Sequence, residues 1–179
     1  MERALVHDVA LEFDLERISV TGPAGGQARV FRALADAGVT TDMVFQRLLD
    51  ASGLMELSFT VAGAQADRAL AALRGLGPHP GVPHLTGSRP GVPSVRRDAP
   101  AAKVSLLGTG LRCDARVAAS FYEAVSRVDG DYWLASPSAT GICAVVRESD
   151  AVRCARAVRA QFGLLPGEAV AAGLLTSDA

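Results

Sequence analysis

Six of the nine prolines of this 179-residue chain lie between Pro78 and Pro100, together with three glycines. Proline fixes φ and removes a backbone donor, and glycine raises backbone entropy, so a packed helix is not expected here. We interpret residues 78–101 as a connection that has room for the last strand of the preceding unit, near residues 92–95. The chain is therefore predicted to fold as two segments of similar size.

The first segment has the pattern of a small α+β unit. Residues 17–21 are rich in β-branched side chains, and a Gly/Pro turn separates them from apolar residues at helical spacing over 30–37. Residues 39–47 read as a strand, and residues 55–61 alternate between apolar and polar, as a half-buried strand does. Apolar positions over 66–76 then predict a second helix. The predicted order is β-α-β-β-α.

The second segment repeats this order. Strands are predicted at 103–108, 132–136 and 142–146, and helices at 117–128 and 152–162. A shift of about 91 residues superposes the two segments, as an internal repeat would. Each unit is expected to form one antiparallel sheet with its helices on one face, the ferredoxin-like βαββαβ arrangement.

Composition excludes several classes of function. The net charge of -1 and the aromatic content of 5% provide neither a basic footprint nor a stacking surface for nucleic acid. Three widely spaced cysteines indicate free thiols in a reducing compartment. The N-terminal residues lack the pattern of a secretory signal, and no apolar run is long enough to cross a bilayer. We expect a cytoplasmic protein without membrane or nucleic-acid partners.

Several segments resemble the tandem regulatory ACT domains of bacterial aspartokinases. Residues 30–39, 42–46 and 57–61 resemble the first ACT domain of that family, and residues 103–110 and 145–163 resemble the second. The resemblance implies an extra N-terminal strand at 1–14, a first ACT domain at 15–77 and a second at 102–175. Residues 4–13 would form the extra strand, which in the family packs with the second domain.

The resemblance also implies a regulatory role. The chain contains no Lys-Phe-Gly-Gly run, and Lys103 is its only lysine, so the family's kinase domain has no counterpart here. It resembles the separately made regulatory β subunit, which would be a homodimer, would control an aspartokinase catalytic subunit and would not be an enzyme by itself. A subunit that serves assembly only, without ligand response, is the alternative.

In the family, lysine or threonine binds at ACT interfaces. A turn before a helix offers N–H groups to the effector carboxylate. Gly25 matches the glycine of this turn, and Gln46 matches the family's glutamine. The residues expected to bind an effector are Gly25, Gln27, Gln46, Asp131, Tyr132, Ser136 and Ser138.

Some positions depart from the family pattern and bear on effector choice. Gly22 and Ala139 stand where the family has acidic residues, so partners for a lysine ammonium are missing. A threonine-like effector is therefore favoured over lysine. Asp114 begins the Asp-Ala-Arg segment that replaces the His-Pro-Gly turn of the second domain, and Asp131-Tyr132 replaces an Asn-Ile pair.

Other chemistries are weaker predictions. The Gly22 to Gly26 turn lacks the Gly-Lys-Ser/Thr ending of a phosphate-binding loop. Cys113 precedes a predicted helix, where a thiolate is favoured, but no catalytic arrangement accompanies it. His79 and His84 lie in the connection without other metal ligands, and Tyr132-Trp133 is expected to serve packing as readily as binding. No catalytic residue, metal site or cofactor is predicted.

Overall fold

The computed structural model describes residues 4–51, 53–77, 93–111, 114–130, 132, 134–137, 141–165 and 170–171; for 134–137 and 170–171 only the backbone is described. These residues form two compact units. The first unit comprises Asp14–Ala99, and the second comprises the chain up to Phe13 together with the chain from Pro100. Strands β1 (Leu5–Pro23) and β4 (Ser94–Thr109) each contribute residues to both units.

The first unit has the order βαββαβ. After β1 come α1 (Gln27–Asp36), β2 (Val44–Leu48), β3 (Leu54–Ala62) and α2 (Gly63–Arg74), and β4 closes the unit. Its sheet has the order β2-β3-β1-β4, and β3 is antiparallel to both β1 and β2. This is the predicted ferredoxin-like arrangement.

Alternating side chains of the strands form the core of the first unit. On β3, Leu57, Phe59 and Val61 face the helices and are buried. Val30 and Leu34 of α1 pack against them, as do the apolar residues of α2. The helical spacing of these residues therefore predicted their common face correctly.

The second unit is built from β4 onwards, with the start of β1. Its elements are α3 (Ala115–Ser126), β5 (Leu134–Pro137), β6 (Gly141–Arg147), α4 (Ala151–Gln161) and β7 (Val170–Ala171). β6 lies between β4 and β5 and is antiparallel to both. The N-terminal part of β1 lies on the other side of β4 and pairs in parallel with β7.

The core of the second unit lies between this sheet and helices α3 and α4. Phe121 and Val125 of α3 are fully buried, as are Ile142 of β6 and Cys154 of α4. Val9 and Leu11 of β1 belong to the same core. The N-terminal strand is thus part of the folded unit.

Several predicted element boundaries differ from the structure. β4 runs without a break from Ser94 to Thr109, through the end of the predicted connection and the strand predicted at 103–108. The strand predicted at 39–47 begins at Val44, because the residues before it end helix α1: the Val39 N–H donates to the Leu34 carbonyl (2.9 Å), and Gly38 has a φ of +63°. The runs at 4–13 and 17–21 are one strand, β1. Asp14 has a positive φ within this strand, and the pairing of β1 with β3 begins at the next residue, Leu15.

Candidate functional site

The loop between β1 and α1 is held in place by backbone hydrogen bonds. The Ala24 N–H donates to the Gly53 carbonyl (2.9 Å), and the Gly26 N–H donates to the Pro23 carbonyl (3.3 Å). Gly25 has a φ of +87°, which favours glycine. A Cβ at this position would meet no atom within 4 Å, so backbone conformation, not crowding by the protein, accounts for glycine here.

Helix α1 begins without a side-chain cap. Its N-cap residue is Gly26, and no side chain accepts a hydrogen bond from the first turn. Among the described residues, none accepts a hydrogen bond from the backbone N–H of Gly25, Gln27 or Ala28. Free donors at the positive end of a helix dipole suit a carboxylate.

Two predicted site residues meet beside this helix end. Gln27 is the first residue of α1, and its Nε2 donates to Oε1 of Gln46 on β2 at 3.0 Å. Both amides also contact the Met55 sulfur of β3, at 3.8 Å from Gln27 and 3.6 Å from Gln46. In the register of β2 on β3, Gln46 pairs with Leu57 and Leu48 pairs with Met55. Gln46 and Met55 are therefore diagonal neighbours on the two strands.

A pocket that is partly open to solvent adjoins the amide pair. Most of its wall is apolar, and no carboxylate belongs to the part of the wall that the structure describes. Arg29 contributes to the wall, and its guanidinium donates to the Gly77 carbonyl (3.1 Å). The described lining residues are Val20, Gly22, Pro23, Gly26, Gln27, Arg29, Val30, Gln46, Met55, Leu57, Leu76 and Pro93.

The structure describes less of the second predicted group. Asp131, Ser138 and Cys113 lie outside the described residues, as do His79, His84 and Trp133, and only the backbone of Ser136 in β5 is described. The Tyr132 ring stacks on Tyr122 with centroids 5.9 Å apart and packs against the core of the second unit. Packing is therefore the observed role of Tyr132.

Helix α3 of the second unit begins with a side-chain cap. The Asp114 carboxylate accepts hydrogen bonds from the backbone N–H of Arg116 (2.9 Å) and Val117 (3.3 Å). A protein carboxylate thus already occupies the position that an effector carboxylate would take. An aspartate directly before a helical apolar pattern is the sequence signal of such a cap.

A charged cluster spans the strands of the first unit on the face opposite the helices. Arg17, Glu56 and Asp98 are largely buried, and the Arg17 Nε lies 3.2 Å from an Asp98 carboxylate oxygen. Burial lowers the pKa of Arg17, while the two carboxylates act in the opposite direction. The partly exposed Arg47 and Arg96 extend the cluster to β2 and β4. It lies across the sheet from the amide pair, because successive side chains of a strand point to opposite faces.

Two features are absent from the described part of the chain. No group of three or more His, Cys, Asp or Glu side chains is arranged to hold a metal ion. None of the helices is both long and apolar enough to span a membrane.

Comparison with known proteins identifies the family. No family model matches the sequence. The aspartokinase of Corynebacterium glutamicum is 33% identical over 168 residues, covering 92% of this chain and 38% of that protein. The ligand-free regulatory subunit of aspartate kinase from Thermus thermophilus is 31% identical, with a TM-score of 0.70, over 88% of this chain and 98% of that one. The chain belongs to the family of aspartate kinase regulatory subunits.

This membership confirms the resemblance and the tandem ACT fold. A structure of aspartokinase alpha and beta subunits supports the fold alone, with a TM-score of 0.72 and 23% identity over 89% of this chain and the whole of that one. The aspartate kinase regulatory chain described here spans 38% of the length of its curated C. glutamicum relative. It corresponds to the regulatory part of aspartokinase.

Proposed function

We propose that this regulatory chain senses a small amino acid and thereby controls an aspartate kinase catalytic subunit. The observation that carries the proposal is the uncapped start of α1 beside the Gln27–Gln46 pair. An effector carboxylate would accept hydrogen bonds from the free N–H groups of Gly25, Gln27 and Ala28. Gln46 would bind a short polar side chain, and nearby backbone carbonyls would receive the ammonium group.

The composition of the cavity wall favours a threonine-like effector over lysine. A buried ammonium needs a carboxylate or several carbonyl partners. No acidic side chain belongs to the described wall, and Arg29 adds a positive charge there. Asp131, Tyr132, Ser136 and Ser138 remain predictions for further effector contacts, supported by the resemblance.

A second copy of the chain is the proposed partner at the edge strand β2. β2 pairs with β3 on one side, and its described residues are all exposed. Val44 is 50% exposed, Phe45 43% and Leu48 62%. Unpaired edges with apolar side chains promote strand pairing between chains. Sedimentation should therefore give a dimer at micromolar concentration, and a monomer would contradict this assignment.

Control of a catalytic subunit requires that the effector bind two states of the complex with different affinity. One structural relative is described as aspartokinase alpha and beta subunits. By analogy, we propose that this chain binds a catalytic subunit and shifts it between active and inactive states. The purified chain should form no aspartyl phosphate from ATP by itself.

Calorimetry with threonine, lysine, methionine and aspartate tests the proposed sensing. We expect threonine to bind best, and Gln46→Ala to weaken it by about 1 kcal/mol or more, the net value of one hydrogen bond. Gln65→Ala is the matched control, because Gln65 is hydrogen-bonded to Thr40 in the same unit. Lysine as the tightest ligand would refute the site assignment. Binding of none of the four would favour the alternative, a subunit that serves assembly only.

A further inference from the structure

We infer that strands β1 and β4 contain a hinge where they pass between the two units, and that Asp14 controls it. β1 leaves the second unit at Phe13 and enters the first unit at Asp14, and β4 returns to the second unit at Pro100. The inference goes beyond the proposed sensing, because it concerns motion within the chain and does not depend on which effector binds.

The strands that flank β1 and β4 end at this boundary. The ladder of β3 with β1 runs from Pro23 to Leu15, and α2 begins directly after the last paired residue of β3, Ala62. The ladder of β6 with β4 ends where Ala101 pairs with Arg147, the last residue of β6. Neither β3 nor β6 therefore supports β1 or β4 across the boundary.

Each crossing strand also has an irregular residue at the boundary. Asp14 has a φ of +58°, and it is the only non-glycine residue with positive φ in the part of the chain that the structure describes. Pro100 has no backbone N–H, so it cannot donate to a strand ladder. A hinge consists of a few residues of this kind, which absorb changes in φ and ψ between two compact units.

Ion pairs join β1 to β4 on either side of the boundary. Glu12 pairs with Lys103 in the second unit, at 2.7 Å, and Glu16 pairs with Arg97 in the first unit. Each pair fixes the two strands to each other within one unit. A bend of the chain is therefore concentrated on the few residues between the two pairs.

The Asp14 carboxylate is placed to hold the hinge in one conformation. A Cβ on Gly63, the first residue of α2, would overlap an oxygen of this carboxylate and lie 2.9 Å from its Cγ. The carboxylate therefore lies against the start of the helix, whose N-cap residue, Ala62, provides no side-chain acceptor. The helix dipole favours a negative charge there, and aspartate is one of the residues that best tolerate positive φ. Asp14 thus fastens the bend of β1 to the first unit.

Hydrogen exchange measured by NMR on the full chain tests the hinge. In Asp14→Gly, which removes the carboxylate, we expect the amides of Ala99 and Ala101 on β4 to exchange at least about tenfold faster than in the wild type, because local opening becomes easier. The amides of Ile18 and Val104, inside the two units, should keep their wild-type rates. Residual dipolar couplings of the two units should fit one alignment tensor in the wild type and two different tensors in the variant.

Gly63→Ala gives a second test that leaves both crossing strands unchanged. Its Cβ displaces the Asp14 carboxylate, so it should reproduce the effects of Asp14→Gly, and the double variant should equal either single one. Asp36→Gly, the same substitution at an exposed position of α1, is the control and should keep wild-type exchange. Circular dichroism verifies folding.

Two outcomes would overturn the inference. Wild-type exchange at the β4 amides in both variants, together with one alignment tensor for every protein, would show that the boundary is rigid. Two tensors that already differ in the wild type and do not change in the variants would show that Asp14 does not control the hinge.

Discussion

Helix α1 of the first unit and helix α3 of the second unit begin in different ways, although both follow the first strand of the same βαββ pattern. Asp114 satisfies two backbone N–H groups at the start of α3. Gly26 is the N-cap residue of α1 and has no side chain to do so. In the second unit the Asp114 carboxylate therefore occupies the position at the helix start that no side chain occupies in the first unit.

The cores of the two units differ much less. Leu34 and Val125, which the repeat pairs with each other, are both buried, and Phe31 and Tyr122 both pack at the edge of a core. Core positions are constrained by close packing, whereas a turn at a helix end is free to change. The comparison therefore indicates that the two units share a common packed core and differ at the turn before their first helix.

The largest expected effect tests the equivalence of the two cores. Phe59 in the first unit and Phe121 in the second are both fully buried. Phe59→Ala and Phe121→Ala should each lower the free energy of unfolding by about 3–5 kcal/mol. Urea unfolding measures this, and Leu165→Ala, at a position that is 83% exposed, is the control. A loss below about 1 kcal/mol in only one variant would show that the cores are not equivalent.

The next largest expected loss of stability concerns the charged cluster of the first unit, on the face opposite the helices. Asp98 accepts from Ser19 Oγ (2.9 Å) and pairs with Arg17 and Arg96. Asp98→Ala should cost about 2–3 kcal/mol, because it leaves a largely buried guanidinium undercompensated. Asp67→Ala removes an ion pair of a carboxylate that is 91% exposed and should cost at most about 0.5 kcal/mol. Equal losses in chemical denaturation would contradict this ranking.

In the second unit the corresponding face has the ion pair of Lys103 with Glu12, at 2.7 Å. Both side chains are 17% exposed, so solvent screens the pair in part. Glu12→Ala should cost about 1 kcal/mol, less than Asp98→Ala. A larger loss would show that the second unit depends on its polar face more than the first.

Alkaline pH should destabilise the second unit, which contains Cys154. Burial, with a smaller effect of Asp129 and Asp150, raises the pKa of the Cys154 thiol to about 11. The folded state thus holds the proton more tightly than the unfolded state, so this contribution to stability is present below about pH 9 and is lost as the pH rises towards about 11. We expect a loss of about 1–2 kcal/mol over this interval.

Cys154→Val provides the control for the thiol, since it keeps an apolar side chain and removes the titration. Burial also raises the pKa of Tyr122, which remains in the variant and acts in the same direction. The difference between the two proteins in urea unfolding at pH 7, 9 and 10.5 therefore isolates Cys154. Parallel curves would refute the assignment.

The smallest expected effect concerns the helix caps themselves. Asp114→Ala should lower the free energy of unfolding by about 1 kcal/mol, because two N–H groups lose their acceptor. Asp36→Ala, at the exposed last residue of α1, should change it by at most about 0.5 kcal/mol or stabilise the chain slightly, since an acidic residue there opposes the helix dipole. A loss in Asp36→Ala as large as in Asp114→Ala would show that the loss in Asp114→Ala does not come from the cap.

Much of the fold was predictable from sequence because its signals are local. Alternation over residues 55–61 identified β3, and helical spacing from Val30 to Leu34 identified the buried face of α1. Periodicity of this kind depends on which face a side chain takes within one element. The resemblance added Gln46, which by composition is an ordinary polar strand residue.

The remaining features depend on contacts between distant parts of the chain. Gln27 and Gln46 are 19 residues apart, and the register of β2 on β3 aligns Met55 with both amides. The Ser19–Asp98 bond spans 79 residues. Sequence alone determined the elements, the repeat and the turn before α1, since these follow from local backbone and side-chain preferences. Only the tertiary structure decided that the two amides meet beside an uncapped helix, because strand register and helix packing set which distant side chains come within hydrogen-bonding distance.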